Sequence, residues 1–228
     1  MKREIIRTED GSTTIRIPDW DECYHSKHGA IQEAYHVFIK NGLSLFKGRP
    51  LSILEIGFGT GLNAFITAIE SVHHGSVDYV GVEAYPVSAE EIKAMNYAQA
   101  IGSGRFQDLF DAIHESGWEK PVAISGHFTL TKRQQFFHEI SDESRFDLIY
   151  FDAFGYRVQP ELWTEDIFGR MFRALKDEGV LVTYAARGVV KRNLQTVGFR
   201  VEKCPGPPGK REMMRGFKEH FNGSPEVN

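Results

Sequence analysis

Little in this chain points to the cell exterior, a membrane or a metal. Its 228 residues include only two cysteines. Cys23 and Cys204 are far apart and in no metal-ligand spacing, so reduced thiols are expected rather than a disulfide framework or a metal site. No stretch approaches the roughly 20 apolar residues of a membrane span. The start, Met1-Lys2-Arg3-Glu4-Ile5-Ile6, lacks the apolar centre of a secretion signal. Basic charge is not in excess either: the formal net charge is −4 and the pI is near 6.1. A nucleic-acid partner would therefore need a local basic patch. These absences lead to the expectation of a soluble cytoplasmic protein without repeats or low-complexity tracts.

What is present is a chain of ordinary globular composition, 41% apolar and 25% charged, long enough for one α/β domain and a small appendage. Lys2 to Arg7 and Thr13 to Ile17 are β-prone runs around Glu9-Asp10-Gly11-Ser12, which reads as a hairpin. Ala30, Ala34, Val37 and Phe38 recur at helical spacing between His28 and Lys40, before Asn41-Gly42. Residues 1–48 are therefore read as an N-terminal extension and 49–228 as the main unit.

In the main unit, strands alternate with helices. Strands are expected at Leu51–Ile56, Val77–Val82, His127–Thr131, Phe146–Phe151 and Gly179–Tyr184. Helices are expected over Leu62–Val72, after Pro86, within Gly102–Glu119, over Gln134–Ile140, over Pro160–Leu175 and over Val189–Val197. Alternation of this kind means a parallel sheet covered on both faces. Two final strands, Phe199–Lys203 and Glu212–Phe217, bracket Cys204-Pro205-Gly206-Pro207-Pro208-Gly209 with no helix between them. They must pair antiparallel. The expected fold is thus the α/β, Rossmann-like fold of class I S-adenosylmethionine-dependent methyltransferases, with a mostly parallel seven-stranded sheet and a C-terminal hairpin.

The site is expected beyond the carboxyl ends of the strands. Directly after Leu54-Glu55-Ile56 comes Gly57-Phe58-Gly59-Thr60-Gly61-Leu62-Asn63. Alternate glycines let backbone turn sharply and touch a ligand where a Cβ would intrude. The spacing is one residue short of the dinucleotide fingerprint, and it matches the loop usual for S-adenosylmethionine. Glu83 ends the next strand, where a carboxylate accepts the hydroxyls of an adenosyl ribose. Glu55 is placed near the sulfonium and α-amino groups. A plain tight turn and a solvated strand end are the bland readings of these features, and their joint occurrence in one βαβ unit argues against them.

Asp152 ends the strand Tyr150-Phe151 and precedes Ala153-Phe154. Methyl transfer to nitrogen needs a free lone pair, so a carboxylate that orients an amine and takes or shares its proton fits there. A turn or capping aspartate would look the same in sequence. Basic residues gather at Arg187, Lys191 and Arg192 and again at Lys203, Lys210, Arg211, Arg215 and Lys218, which suggests a face for phosphates. Trp163 and Phe168 read as core.

With these residues in view the chain resembles the MnmC-like methyltransferases, the methyltransferase half of the bifunctional tRNA 5-methylaminomethyl-2-thiouridine biosynthesis proteins. The resemblance runs through Thr8–Thr13, Tyr24–Ala30, Glu55–Asn63, Phe151–Phe154, Pro160–Thr164, Thr183–Ala185 and Gly209–Met213. It implies methyl transfer from S-adenosylmethionine to the amine of 5-aminomethyl(-2-thio)uridine at the tRNA wobble position. It further implies that Glu55, Gly57, Phe58, Gly59, Thr60, Gly61, Asn63 and Glu83 hold the cofactor. Asp152 and Phe154 would then meet the aminomethyl group, and Lys191, Arg192, Lys210 and Arg211 would approach the anticodon stem-loop. No metal is implied.

Three departures accompany the resemblance. Leu130-Thr131-Lys132-Arg133 stands where a Gly-Asp pair is common, which leaves no acid there for the adenine amine. Gly155–Gln159 replaces a Pro- and Asn-containing stretch. The flavin-dependent oxidase half has no counterpart in these residues, so a separate source of the aminomethyl uridine is expected. Two other readings stay open: a methyltransferase or aminopropyltransferase acting on a small amine, and a non-catalytic adenosyl-binding module of a tRNA-modifying assembly.

Overall fold

A computed structural model describes residues 2–219; the last nine residues of the expected 49–228 unit lie outside the described ones. The strands are β1 (Glu4–Arg7), β2 (Thr13–Ile17), β3 (Glu22–Cys23), β4 (Leu51–Ile56), β5 (Val77–Val82), β6 (Val122–Ser125), β7 (Phe128–Arg133), β8 (Phe146–Phe151), β9 (Leu175–Thr183), β10 (Arg200–Pro205) and β11 (Glu212–Phe217). The α-helices are α1 (Ala30–Ala34), α2 (Leu62–Glu70), α3 (Ala89–Lys93), α4 (Tyr97–Gly102), α5 (Gln107–Glu115), α6 (Glu165–Ala174) and α7 (Gly188–Thr196).

The main sheet has the order β10-β11-β9-β8-β4-β5-β7-β6. Strands β9, β8, β4, β5 and β7 are parallel, and β11 pairs antiparallel with both β9 and β10. The seven strands expected are present with their C-terminal hairpin. An eighth, β6, pairs antiparallel with β7 across a register shift at Ala123/Ser125. Its half-exposed alternation and its Pro121 and Gly126 flanks gave it a weak signal.

Each central strand is buried on both faces because successive side chains point to opposite sides. Along β4, Leu51 and Ile53 join the core under α1, α2, α4 and α5, whereas Leu54 and Ile56 join the core under α6 and α7. The same split divides Tyr79 from Val80 and Val82 in β5. Both Trp163 and Phe168 are fully buried, as expected of core. The indole of Trp163 also donates to the Phe154 carbonyl at 2.8 Å, which ties the loop after β8 to the second core. Truncating such a residue costs about 3–5 kcal/mol.

Several expected helices are shorter. The one expected over Gln134–Ile140 is absent apart from a single turn at Phe137–Glu139. There the backbone donors of Gln134 and Phe136 go to the carboxylates of Glu119 and Glu139, both at 2.7 Å, instead of to an internal helical ladder. The helix expected within 102–119 is α5, and Ser103 and Gly104, with φ of 51° and 86°, separate it from α4. Pro160 opens a 3-10 turn to Trp163, Thr164 then caps α6, and Leu175 already belongs to β9.

At the N-terminus, β1 and β2 form the expected hairpin, and β3 adds a third strand in the order β1-β2-β3. Its turn is held by the Asp10 carboxylate, which accepts from the hydroxyls of Thr8 and Ser12. Helix α1 runs on into a π-helical turn, Tyr35–Lys40. The four residues at helical spacing, Ala30, Ala34, Val37 and Phe38, are all buried in the first core. This segment therefore packs against the same sheet as α2. None of the helices among the described residues is long and apolar enough to cross a membrane.

Candidate active site

At the carboxyl ends of β4, β5 and β8 lies a cavity of about 840 Å³, closed on its far side by residues 20–28 and 33 of the N-terminal segment. Its floor is the glycine loop. The amides of Gly57 and Phe58 both donate to the Val82 carbonyl at 3.0 Å, which folds the loop across the end of β5. Gly57 has φ +87°, and a Cβ there would lie 2.6 Å from the Asp152 carbonyl oxygen. Gly59 has φ +49° and faces the Tyr24 ring, 3.2 Å from where its Cβ would be. The loop can thus present bare backbone to a ligand only as glycine.

Glu83 is fastened to this loop. Its Oε2 accepts from the Gly59 amide at 3.0 Å and its Oε1 from the Tyr85 amide at 2.9 Å. A carboxylate has roughly four acceptor sites, so two remain for hydroxyls in the cavity. Past Glu83 the wall is Ala84, Tyr85 and Phe136–His138. The Tyr85 and Phe136 rings meet edge to face at 5.9 Å, and His138 stacks on Phe136 at 5.4 Å. The loop that replaces the expected helix thus supplies aromatic surface where an acid is missing.

Lys132 does not take that acid's place. It is buried in β7, and its ammonium donates to the carbonyls of Ile113 and His114 at 3.0 and 2.9 Å, closing the C-terminal end of α5. Burial lowers its pKa to about 8. Its neighbour Arg133 is held in a two-pronged pair with Asp142.

Asp152 lines the cavity after β8, on the other side of β4 from the Glu83 strand. Its amide extends the ladder to Ile56 at 2.9 Å, and its Oδ2 accepts from the Asn63 side-chain nitrogen at 2.8 Å. Burial, and secondarily the Glu33 charge, raises its pKa to about 7; the Asn63 hydrogen bond and the Lys210 charge oppose this. The same Asn63 nitrogen donates to Glu55 Oε1 at 2.9 Å. Glu55 itself is fully buried beneath Asn63 and does not line the cavity. Burial pushes its pKa well above the carboxylate range, so it favours the neutral form.

The other sequence-derived candidates divide in the same way. Gly57, Phe58, Gly59, Thr60, Asn63, Glu83, Asp152, Phe154 and Lys210 line the cavity. Gly61 does not; it starts α2 and packs against His114. Lys191, Arg192 and Arg211 also lie outside the cavity. Sequence reasoning missed Tyr24, His25, Glu33 and Tyr184, all of which line it. The Tyr24 and Trp20 rings pack edge-on against Phe154 at 4.9 and 5.5 Å. His25 is held neutral by burial, its pKa lowered to about 4. Among the described residues, no three His, Cys, Asp or Glu side chains come together as a metal site. Both cysteines are unbonded.

The glycine cradle, the two free acceptor positions on Glu83 and the aromatic wall fit an adenosyl group, and Asp152 lines the same cavity from the other side of β4. A family model described as S-adenosyl-L-methionine-dependent methyltransferase matches residues 130–219. Over those residues the chain is similar to the S-adenosyl-L-methionine-dependent methyltransferases. It is 32% identical over 221 residues to the tRNA 5-methylaminomethyl-2-thiouridine biosynthesis bifunctional protein MnmC of Ralstonia nicotianae, covering 89% of this chain and 33% of that protein. To the MnmC of Pseudomonas syringae it is 30% identical, covering 93% of this chain and 34% of that one. The chain therefore spans about a third of the length of these curated relatives. The chain also shares its fold with the crystal structure of MNMC2 from Aquifex aeolicus, with a TM-score of 0.74 and 22% identity over 94% of this chain and 69% of that one. Spermidine synthase from Thermotoga maritima is a more distant fold neighbour, with a TM-score of 0.50 and 13% identity over 94% of this chain and 72% of that one.

Proposed function

We propose that this protein is an S-adenosylmethionine-dependent methyltransferase that transfers a methyl group to the primary amine of 5-aminomethyl(-2-thio)uridine at the wobble position of tRNA, giving the 5-methylaminomethyl nucleoside. The observation that carries the reading is Asp152, with a pKa raised to about 7, which lines the cavity with the aromatic residue Phe154 and follows β8, on the other side of β4 from the Glu83 strand. The names of the relatives favour the same nucleoside.

When bound, S-adenosylmethionine supplies a methyl group on a positively charged sulfur. The residues of this chain have to deliver an amine with its lone pair free. An alkylammonium entering the cavity meets Asp152, whose carboxylate orients it and accepts one proton; a group titrating near neutral pH is suited to that exchange. Phe154, with Trp20 and Tyr24 packed on it, offers apolar surface to the base. Gly57, Gly59 and Glu83 hold the adenosyl end, and Asn63 keeps Asp152 in place. Glu55 serves from beneath, through Asn63, rather than by touching the cofactor.

The tRNA approaches on the side of Arg187, Lys191, Arg192 and Arg211. None of these four forms an ion pair among the described residues, whereas Lys203, Lys210 and Arg215 are paired with Glu212, Glu33 and Glu202. Residues 1–48 act as an extension that completes the cavity of the 49–228 unit. The amine is made by a separate activity, and the reaction takes place in the cytoplasm.

The test is nucleoside mass spectrometry of tRNA bearing 5-aminomethyluridine after incubation with the protein and S-adenosylmethionine. One methyl gained on that nucleoside, and lost in Asp152→Ala, is the expected result. Methylation of a small amine that persists after ribonuclease treatment would replace tRNA as the acceptor. Cofactor binding without any turnover would leave only a binding module.

A further inference from the structure

Lys210 belongs to the loop between β10 and β11, yet its side chain turns into the cavity rather than out towards solvent. Its ammonium pairs with Glu33 Oε1 and lies 3.8 Å from the centre of the Tyr184 ring. Tyr184 is fixed in turn, its hydroxyl donating to the Ala153 carbonyl at 2.9 Å. Asp152 is near enough for the charges of both Glu33 and Lys210 to act on it. The cavity end that holds Asp152 thus contains a second carboxylate, an aromatic face and one alkylammonium.

The two partners of this ion pair differ in freedom. The Glu33 side chain is 10% exposed, and its Oε2 is pinned by the Ser26 amide at 2.9 Å. That of Lys210 is 32% exposed and sits on a long stem next to Gly209, in a loop of glycines and prolines. Lys210 can reach water once another cation takes its place at Glu33. Glu33 cannot, and a buried carboxylate left without a cation is strongly disfavoured. Whatever displaces Lys210 must therefore bring a positive charge of its own.

A lysine side chain ends in CH2–NH3⁺, and so does a protonated aminomethyl group. We propose that Glu33 is a second binding residue for the substrate ammonium, and that the Lys210 ammonium holds this place until the substrate's takes it. The inference rests on the proposed amine acceptor and deepens it. Glu33 and Tyr184 select for a cation, by charge-assisted hydrogen bonding and by the negative ring face. Asp152 then receives the proton. A neutral hydroxymethyl analogue could not compensate Glu33 and would be rejected.

Two measurements test this. The first needs no tRNA: thermal shift with n-butylammonium as the probe. Lys210→Met frees Glu33, so the probe should raise its melting temperature more than that of the wild type, and the gain should vanish in Lys210→Met with Glu33→Gln. Equal shifts in wild type and Lys210→Met overturn the proposal. The second is steady-state methylation by Glu33→Gln, a variant whose side-chain oxygen can still accept from the Ser26 amide. KM for the amine substrate should rise about 10- to 100-fold, the loss expected for a hydrogen bond to a charged group, while cofactor affinity and kcat are retained. An unchanged KM overturns the proposal and leaves the methylation reading intact. Absence of methylation by the wild type is instead the failure of that reading.

Discussion

Asn63 holds Asp152 from the first turn of α2: its side-chain nitrogen reaches Asp152 Oδ2 at 2.8 Å while also serving Glu55 Oε1 at 2.9 Å. One amide thereby links a fully buried carboxyl to one that faces the cavity. Because donation stabilises the ionised form, this hydrogen bond works against the burial that raises the Asp152 pKa to about 7. Asn63→Ala should therefore move the acidic limb of the pH–rate profile to higher pH. It should also cost about 1–3 kcal/mol of stability, since Glu55 loses its donor. An unmoved limb would separate the ionisation of Asp152 from this contact.

Asp152→Asn should abolish most turnover yet leave cofactor binding intact. It should also make the folded chain more stable at neutral and alkaline pH. The folded pKa is raised from 3.8 to about 7, so the contribution of the acid to stability is full below the unfolded value and is lost as pH rises through 7. A neutral isostere does not incur that loss. The difference in unfolding free energy between variant and wild type should grow from pH 4 to pH 7 and then level off, on the order of a few kcal/mol. Wild-type turnover should rise over the upper part of the same window as the carboxylate forms. An advantage over the wild type no larger at pH 8 than at pH 4 would argue against an acid whose ionisation is suppressed by the fold.

The glycine loop allows a graded comparison. Both Gly57 and Gly59 have positive φ, so alanine is strained by about 1 kcal/mol or more at either. At Gly57 the added Cβ would also meet the Asp152 carbonyl at 2.6 Å, a backbone atom that can retreat only by moving β8. At Gly59 it meets a Tyr24 ring carbon at 3.2 Å, which can yield. Gly57→Ala should lose more stability in chemical denaturation than Gly59→Ala, and both should weaken cofactor binding. The reverse order of stability would mean that the Tyr24 contact is the more rigid.

The parts of this molecule that were legible in sequence are those whose partners are local. Gly57 to Asn63, Glu83 and Asp152 each follow directly from an apolar strand, and strand ends in a parallel sheet converge on one edge. The N-terminal wall was not legible. Glu33 and Lys210 are joined only by the closing of the fold, and on its own Glu33 is a polar residue on an amphipathic helix. Lys210 looked like part of a basic face because charge along a strand pair does not say which side chains turn inward. Glu55 was assigned to the cofactor for its place before the glycines, but its position in β4 buries it beneath Asn63. The helix expected over Gln134–Ile140 failed because Glu119 and Glu139 supply acceptors that no local pattern reveals.

The basic face can be tested by charge removal. Lys203 and Arg215 are committed to Glu212 and Glu202, at 2.7 and 3.1 Å, and Lys218 donates to the Leu175 carbonyl at 2.7 Å. What remains for phosphates is Arg187, Lys191, Arg192 and Arg211, around the start of α7 and the neighbouring hairpin loop. Each cation that displaces a counterion contributes about 0.7–0.9 to the slope of log affinity against log salt. Lys191→Ala with Arg211→Ala should therefore weaken tRNA binding and flatten that slope by about 1.5, without changing affinity for the cofactor. Lys203→Ala with Arg215→Ala should leave the slope nearly unchanged, because those charges are already neutralised. If the second pair flattens the slope and the first does not, the tRNA lies along the outer strands of the hairpin and the ion pairs there open to receive it.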